Sequence, residues 1–390
     1  MNRVKTGLDN LISSPLEILK NKKIGYLCNQ ASVNSKLIHG AVCLNNLFQG
    51  QVKALFSPQH GLFGEKQDNM KESEDIIDPF LKIPVFSLYK NRREPSEKEM
   101  NLIDTLIVDL QDVGTRVYTF IYTLSYCMEA AKKYNKQIIV LDRPNPLGGI
   151  RIEGGLLEDN YRSFVGRFPI PMQHGLTIGE TALLFNKHFG IGANPIVIPL
   201  TNWKRDMFFK DTELVWIPPS PNLPTPDSAL VYPGQVIWEG TNISEGRGTT
   251  QPFEIFGAPF IDIKKILSAY DASNIAGSAI RPVFFQPVYN KWKDCVCRGF
   301  QIHITDPKLY NPYIASLKFL RLFLIRFGEY FCWKNPPYEY ELKKKPIDLI
   351  LGSKQMRKRI ENLEPISEIA RSWEQEIKTY KKLISDFLLY

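Results

Sequence analysis

The chain has 390 residues, of which 44% are hydrophobic and 12% aromatic, and its 49 Lys and Arg against 41 Asp and Glu give a formal net charge of +8. The hydrophobic content is too high for a disordered chain, and the apolar runs are far shorter than the ~20 residues of a membrane-spanning helix. The small positive excess is spread among acidic residues, which predicts a solvated surface and no nucleic-acid partner, and which is compatible with a small anionic substrate.

The first segment of the chain carries charges throughout. Residues 1–24 contain no apolar stretch of the length that an export signal needs. We therefore expect the chain as written to stay in the cytoplasm, and a periplasmic or secreted location only if a leader has been removed. The six cysteines are sparse and irregularly spaced, which predicts reduced thiols rather than a disulfide scaffold.

Short apolar segments alternate with helical ones in the first part of the chain. Near-continuous apolar strands joined by helices predict a parallel α/β sheet that is covered on both faces. Neither a Gly-x-Gly-x-x-Gly nor a Walker-type loop follows the first strand, and the five histidines lack metal-binding spacing, so we expect no cofactor and no metal. The predicted strands lie at 23–28, 52–56, 84–89, 105–110 and 137–141, and the predicted helices at 39–49 and 120–134.

Four of these strands end in polar clusters. In open parallel sheets, ligands bind beyond the carboxyl ends of the strands, so these clusters are predicted to meet at one rim. Turn formation explains any one of them, but four in succession, with acids and a histidine, favour a site. Their polar members are Asn29, Gln59, His60, Asp109, Asp112, Asp142, Arg143 and Asn145.

Beyond residue 149 the sequence becomes rich in turns. A helix at 177–189 and a strand at 196–200 precede a segment, 216–260, that is rich in Pro, Gly and Thr. Long structured loops of this kind commonly serve a binding site. We therefore predict two domains, 1–195 and 196–390, with the loops of 216–260 at their interface.

Acids in constrained positions suggest glycoside chemistry. Cleavage of a glycosidic bond needs two carboxyl groups, one to protonate the leaving oxygen and one to attack the sugar or to activate water. An acid that stays neutral at working pH must be buried beside apolar groups, which Phe63 could provide for Glu65 and Trp238 for Glu239.

Histidines and arginines stand in the same segments. His60 and His174 each occur in a Gln-His-Gly turn, so either both imidazoles line one pocket or both bond to the backbone. Arg116, Arg143 and Arg247 can each grip a carboxylate through two hydrogen bonds, or pair with a neighbouring acid of the protein. The residue pattern does not decide between these alternatives, either for the two histidines or for the three arginines.

A series of motifs in this order resembles the bacterial exo-β-N-acetylmuramidase family. They are Ser-Pro-Gln-His-Gly at 57–61, Asp-Leu-Gln-Asp-Val-Gly-Thr-Arg at 109–116, Leu-Asp-Arg-Pro-Asn-Pro at 141–146, Pro-Pro-Ser-Pro-Asn at 218–222 and Glu-Gly-Thr-Asn-Ile-Ser-Glu-Gly-Arg-Gly-Thr-Thr at 239–250. The resemblance implies a Rossmann-like N-terminal domain, a smaller C-terminal α/β domain and a cleft between them. It also implies a glycoside hydrolase of peptidoglycan turnover, which releases N-acetylmuramic acid from the non-reducing end of a muropeptide or disaccharide.

One motif departs from the family pattern. Many relatives read Pro-Glu-His-Gly where this chain has Gln at position 59, and the amide of Gln59 cannot usefully donate or accept a proton. We therefore expect Glu65, on the same loop, to act as the general acid. Asp112 or Glu245 is the expected second carboxylate.

The resemblance also implies substrate contacts. His60 and Gln59 would touch the reacting sugar, and Arg247 or Arg116 would bind the lactyl carboxylate of N-acetylmuramic acid. The competing hypothesis is a catalytically silent muropeptide- or sugar-binding protein, and a third is a sugar-phosphate enzyme that uses the arginine-rich rim. The expected substrate-binding residues are Asn29, Gln59, Arg116, Arg143, Asn145, His174, Asn222, Glu239, Asn242 and Arg247.

Overall fold

The computed structural model describes residues 3–68, 70–90, 92–269 and 275–390. The strands of its first part are β1 (Ile24–Leu27), β2 (Val52–Ser57), β3 (Ile76–Ile77), β4 (Pro84–Ser87), β5 (Thr105–Val108), β6 (Gln137–Leu141) and β7 (Ile196–Ile198). They form one seven-stranded sheet in the order β3-β4-β2-β1-β5-β6-β7. Every neighbouring pair is parallel except β3 with β4. The predicted parallel α/β sheet is confirmed.

Helices cover this sheet. All residues of the central strands β1 and β5 are buried, which is why these strands read as uninterrupted apolar runs. The helices predicted at 39–49 and 120–134 are confirmed as α2 and α4. The helices of this part are α1 (Gly7–Ser13), α2 (Gly40–Leu47), α3 (Glu97–Met100), α4 (Phe120–Lys133) and α5 (Ile178–Lys187).

The second part of the chain has a smaller sheet and most of the remaining helices. Its strands are β8 (Ile255–Ala258), β9 (Ser278–Phe285) and β10 (Cys297–Ile304), which pair antiparallel in the order β8-β10-β9. The sheet of the first part continues to β7, just past the predicted domain boundary at 195/196; that boundary stays a prediction. The helices are α6 (Pro226–Gln235), α7 (Ile263–Leu267), α8 (Pro312–Phe327), α9 (Pro346–Leu351), α10 (Lys354–Glu361), α11 (Ile366–Ser372) and α12 (Glu374–Ile384).

The two parts share one apolar core. The largest buried apolar cluster contains Val108 of β5 as well as Phe256 of β8. Burial on this scale is the main favourable contribution to folding, so the junction between the parts is a packed interior. Among the residues described, no helix combines the length and apolar character that crossing a membrane would require.

Candidate active site

A buried pocket lies where the two parts of the chain meet, and we call it the junction pocket. Its first wall is the turn after β2 together with the residues that lead into α4, and its second wall includes the 3₁₀ turn Val236–Gly240 and the segment 338–339. The cavity volume is ≈ 30 Å³, room for a water molecule or two, so a sugar ring enters only when part of the wall moves. Its polar lining residues are Gln59, His60, Tyr118, Thr119, Ser220, Tyr232, Glu239, Arg247, Tyr338 and Glu339.

Glu339 projects into the pocket from an unusual stretch of backbone. Glu339 and Tyr340 both have left-handed φ angles, 45° and 70°, and such a conformation costs about 1–2 kcal/mol for a residue other than glycine. Contacts with the first part of the chain hold the stretch in place: the Arg93 guanidinium lies 4.2 Å from the centre of the Tyr340 ring. Strain of this kind is commonly retained at functional sites.

The Glu339 carboxyl is buried and held by two donors. Gln59 Nε2 donates to Oε1 at 3.2 Å, and the Tyr89 hydroxyl donates to Oε2 at 2.7 Å. Burial raises the pKa of Glu339 to about 7; the two hydrogen bonds oppose this rise, and the nearby charge of Glu239 adds to it. Glu339 therefore keeps its proton at a pH where an exposed glutamate has lost it.

Glu239 is the second carboxylate of the pocket. Its backbone is fixed by the neighbouring Trp238, which is fully buried and stacks on Phe256 with 5.3 Å between ring centres. Arg247 Nη2 donates to Oε1 at 2.7 Å, and the Tyr338 hydroxyl donates to Oε2 at 2.7 Å. Burial alone would raise the pKa of Glu239, but the Arg247 charge and these hydrogen bonds bring it below its usual value.

The turn after β2 places Gln59 and His60 in the pocket. The left-handed φ of His60, 76°, and of Gly61, 82°, turn the chain sharply after the buried strand. Thr119 Oγ1 donates to Gln59 Oε1 at 2.7 Å, which orients the amide toward Glu339. The His60 ring bonds through Nδ1 to the Lys66 carbonyl oxygen at 2.6 Å, and burial lowers the pKa of His60 to about 4, so the imidazole is neutral.

The predicted general acid and its two expected partners lie elsewhere. Glu65 is exposed, so it lacks the burial that the sequence argument required of a neutral acid. Asp112 is buried but is not among the described lining residues of the pocket, and it accepts a hydrogen bond from the Gly114 N–H at 2.7 Å. Glu245 is buried too, and Lys291 Nζ donates to it at 2.6 Å while Arg247 Nε lies 3.3 Å away. Glu245 thus forms an ion pair with Arg247 that helps to hold the guanidinium in place.

His174 does not share a pocket with His60. It is fully buried and absent from the described lining, and its Nδ1 accepts a hydrogen bond from the Leu176 N–H. Its Nε2 lies 3.3 Å from Asp112 Oδ2. Both rings therefore bond to the backbone, as one of the two alternatives for the Gln-His-Gly turns expects, and of the two histidines His60 is the one among the described lining residues of the junction pocket.

Two of the three arginines bond to buried groups of the protein away from the junction pocket. Arg116 is fully buried and donates to the carbonyl oxygens of Gly155, Ile170, Ile350 and Leu351, which ties the first part of the chain to α9. Arg143 is committed to a buried ion pair with Asp109, which also accepts a hydrogen bond from the Tyr26 hydroxyl. Neither guanidinium lines the pocket, so Arg247 is the one lysine or arginine among its described lining residues.

The four predicted asparagines all bond to the backbone. Each side-chain amide donates to a carbonyl oxygen of another segment, which fixes the loops around the site rather than reaching into it. The pairs are Asn29 with Pro219 at 2.9 Å, Asn145 with Leu176 at 3.0 Å, Asn222 with Gln67 at 2.6 Å and Asn242 with Tyr330 at 2.8 Å.

The structure adds two residues that the sequence argument missed. Tyr338 and Glu339 come from a segment after Pro336 and Pro337 that carried no predicted function. Glu339 has a tyrosine on each side, which is the same signal, an acid beside aromatic residues, that drew attention to Glu65 and Glu239. Within the ranges described, no three His, Cys, Asp or Glu side chains gather as metal ligands would.

Comparisons with known proteins find the same family along nearly the whole chain. The family model described as exo-β-N-acetylmuramidase NamZ, N-terminal, matches residues 24–227, and the C-terminal model of the same description matches residues 230–390. The chain is 40% identical over 388 residues to the peptidoglycan β-N-acetylmuramidase NamZ of Bacillus subtilis (strain 168), a match that covers 100% of this chain and 92% of that protein.

Solved structures show the same fold. A crystal structure of a DUF1343 family protein from Bacteroides fragilis superposes with a TM-score of 0.88 at 32% identity, covering 100% of this chain and 99% of the other. A second protein of that family and organism gives a TM-score of 0.77 at 30% identity over the same shares.

Proposed function

Because the chain belongs to the exo-β-N-acetylmuramidase family, we propose that it is an exo-acting glycoside hydrolase that releases N-acetylmuramic acid from the non-reducing end of peptidoglycan fragments, and that Glu339 and Glu239 are its reacting carboxyl groups. One observation carries the residue assignment. Two buried carboxyl groups line one pocket, and their environments push their pKa values in opposite directions. Such a pair supplies an acid and a base at the same pH.

Each carboxyl group has a separate task in this mechanism. Neutral Glu339 gives its proton to the glycosidic oxygen as the bond to the anomeric carbon breaks, so the leaving sugar departs as an alcohol. Ionised Glu239 faces the positive charge that develops on the anomeric carbon and its ring oxygen, and a water molecule completes the hydrolysis by adding its oxygen to this carbon and giving up a proton, which releases N-acetylmuramic acid. Arg247 and Tyr338 keep Glu239 ionised inside a buried site, where an unpaired charge would be costly.

Arg247 also explains the preference for a carboxylated sugar. N-acetylmuramic acid carries a lactyl carboxylate, and Arg247 supplies the positive charge among the described lining residues of the pocket. Its Nε and Nη2 point to Glu245 and Glu239, so two carboxylates fix the orientation of the guanidinium. A fixed cation recognises an anionic substituent with little loss of entropy on binding.

The test is turnover of a muramyl disaccharide whose non-reducing end is unblocked. Wild type is expected to release free N-acetylmuramic acid from this substrate, and to leave untouched a disaccharide with N-acetylglucosamine at the non-reducing end. Tight binding of the muramyl disaccharide without product would instead favour a silent sugar-binding protein, the alternative that Gln59 raises.

We expect a specific pH dependence of kcat/KM. Activity requires protonated Glu339, whose pKa is about 7, and ionised Glu239, whose pKa lies below its usual value. kcat/KM should therefore fall as the pH rises above about 7, and should fall again only at distinctly acidic pH. Initial rates from pH 4 to 9 with substrate far below KM measure this profile, and full activity at pH 9 would contradict it.

Tyr338→Phe should weaken the negative charge of Glu239. The variant removes a 2.7 Å hydrogen bond to Oε2, and such a bond to a charged group is worth about 1.5–3 kcal/mol. The pKa of Glu239 should rise, so the acidic limb of the pH profile should move to higher pH and kcat should fall at least about tenfold. Tyr340→Phe is the matched control, because its hydroxyl donates to Glu72 at 3.3 Å outside the pocket. If Tyr338→Phe and Tyr340→Phe have identical pH profiles, Tyr338 takes no part in the mechanism.

A further inference from the structure

A long groove runs along β9 beside the junction pocket. Its volume is ≈ 850 Å³, so it offers far more space than the pocket itself. Its lining comes from residues 281–285 of β9, from the residues that follow this strand, and from the loop 248–251 together with Gln67. We call it the β9 groove. The proposed mechanism assigns no role to the β9 groove.

The chemistry of the β9 groove suits an uncharged sugar. Most of its polar side chains are amides and hydroxyls, which pair with sugar hydroxyl and acetamido groups. They are Gln67, Thr249, Thr250, Gln251, Gln286 and Tyr289. Phe284 is 67% exposed in the same groove, and an exposed aromatic ring offers an apolar face on which a sugar ring packs.

A charged ligand finds little opposite charge in this groove. Arg281, whose guanidinium also donates to the Gln301 side chain, is the one charged side chain among its described lining residues. An extended peptide cannot pair fully with the strand edge either, because Pro282 has no N–H to donate. The lining therefore favours neutral glycan over the charged peptide stem of a muropeptide.

The β9 groove shares a wall with the junction pocket. Arg247 lines the pocket and the next residue, Gly248, lines the groove. The carbonyl oxygen of Gln67 lies between them, 2.6 Å from the donating Asn222 amide and 3.5 Å from Arg247 Nη1. Asn222 in turn accepts a hydrogen bond from the Tyr289 hydroxyl at 3.0 Å. A substrate anchored by Arg247 thus has the groove directly beside it.

We propose that the β9 groove binds the glycan on the leaving-group side of the scissile bond, beginning with the N-acetylglucosamine that follows the released sugar. This rests on the proposed function, because it assumes that N-acetylmuramic acid occupies the junction pocket. Phe284 is the packing surface for this glycan, and Thr250 and Gln251 of the same lining provide polar contacts.

The test compares substrates with and without this glycan. Two substrates are used: an aryl N-acetylmuramide, which has no second sugar, and a peptide-free tetrasaccharide with N-acetylmuramic acid at its non-reducing end. Phe284→Ala should lower kcat/KM about tenfold on the tetrasaccharide and leave the aryl substrate unchanged. Phe284→Trp keeps an aromatic face and should retain tetrasaccharide activity. Val296→Ala is the control, since Val296 is 57% exposed and lies outside the described lining of the groove.

Two other kinetic outcomes overturn the proposal. Equal changes on both substrates, or none, would show that Phe284 does not contact the leaving-group glycan. If the peptide-bearing form of the tetrasaccharide is also assayed, a loss confined to that form would assign the groove to the peptide stem. If wild type cleaves neither substrate, the proposed function fails. Calorimetric titration with di-N-acetylchitobiose then tests the groove as a glycan-binding site on its own. Binding that Phe284→Ala weakens supports a glycan site in the groove, and no binding by wild type rejects it.

Discussion

Glu339→Gln is expected to lower kcat on a muramyl disaccharide about 10³-fold, within the range typical for loss of a general acid. The amide has nearly the shape of the carboxyl: its oxygen can still accept a hydrogen bond from Tyr89, and its NH2 group can donate to Gln59 once the Gln59 amide turns over, so the pocket should keep its geometry. It has no proton to give to the leaving oxygen at any pH. KM should change little, because the loss falls on the transition state rather than on substrate binding.

The leaving group tells a lost acid from a damaged pocket. A substrate whose leaving group is already a good one, such as a dinitrophenyl muramide, needs no protonation, so Glu339→Gln should cleave it nearly as fast as wild type does. Glu74→Gln, an exposed glutamate in the first part of the chain, is the matched control and should behave as wild type on both substrates. If Glu65→Gln shows this pattern and Glu339→Gln does not, the acid is Glu65.

The stability of Glu339→Gln gives an independent check on the state of the carboxyl group. A pKa raised from 4.5 to about 7 means that the unfolded state ionises at Glu339 before the folded state does, so the wild type loses about 3 kcal/mol of stability as the pH rises from 4.5 to about 7, and this loss stays constant at higher pH. The amide variant has no such cost. Its free energy of unfolding relative to wild type should therefore increase between pH 5 and pH 8, as measured by denaturant titration at both values.

Much of the fold and part of the site follow from local sequence. Uninterrupted apolar strands such as β1 and β5 can be buried only in a covered parallel sheet, so the sheet was predictable. Once the sheet is predicted, the positions of Gln59 and His60 follow, because these residues come after β2 at the carboxyl edge of that sheet.

Other parts of the site depend on tertiary contacts that no local pattern contains. Glu339 meets Gln59 across 280 residues of sequence, and only the packing of the two parts brings them together. Arg116 resembles a ligand-binding arginine in its motif, yet its partners are carbonyl oxygens, which every residue carries and which leave no trace in the sequence. Glu65 follows an aromatic residue, Phe63, but the side chains of both are exposed.

The contact between Gln59 and Glu339 predicts that the acid can be moved from one side chain to the other. Gln59 Nε2 and Glu339 Oε1 are 3.2 Å apart, so exchanging the two residue types shifts the carboxyl group by about one hydrogen bond. In the double variant Gln59→Glu/Glu339→Gln, the Thr119 hydroxyl can still donate to the side chain at 59, and the Tyr89 hydroxyl can still donate to the side chain at 339. The new amide donates to the new carboxylate, so every hydrogen bond of the cluster is kept with the direction of one reversed.

We therefore expect the double variant to recover about 10²-fold in kcat over Glu339→Gln alone, with the acid now at the position where many relatives carry glutamate. The single variant Gln59→Glu places two carboxyl groups side by side, and since both cannot readily ionise there, the alkaline limb of kcat/KM should move above pH 7. Steady-state kinetics of the three variants and wild type across pH decide the matter. A double variant that folds but is as slow as Glu339→Gln would show that a carboxyl group at 59 cannot reach the glycosidic oxygen, whereas recovery would show that this pocket accepts its proton donor from either wall.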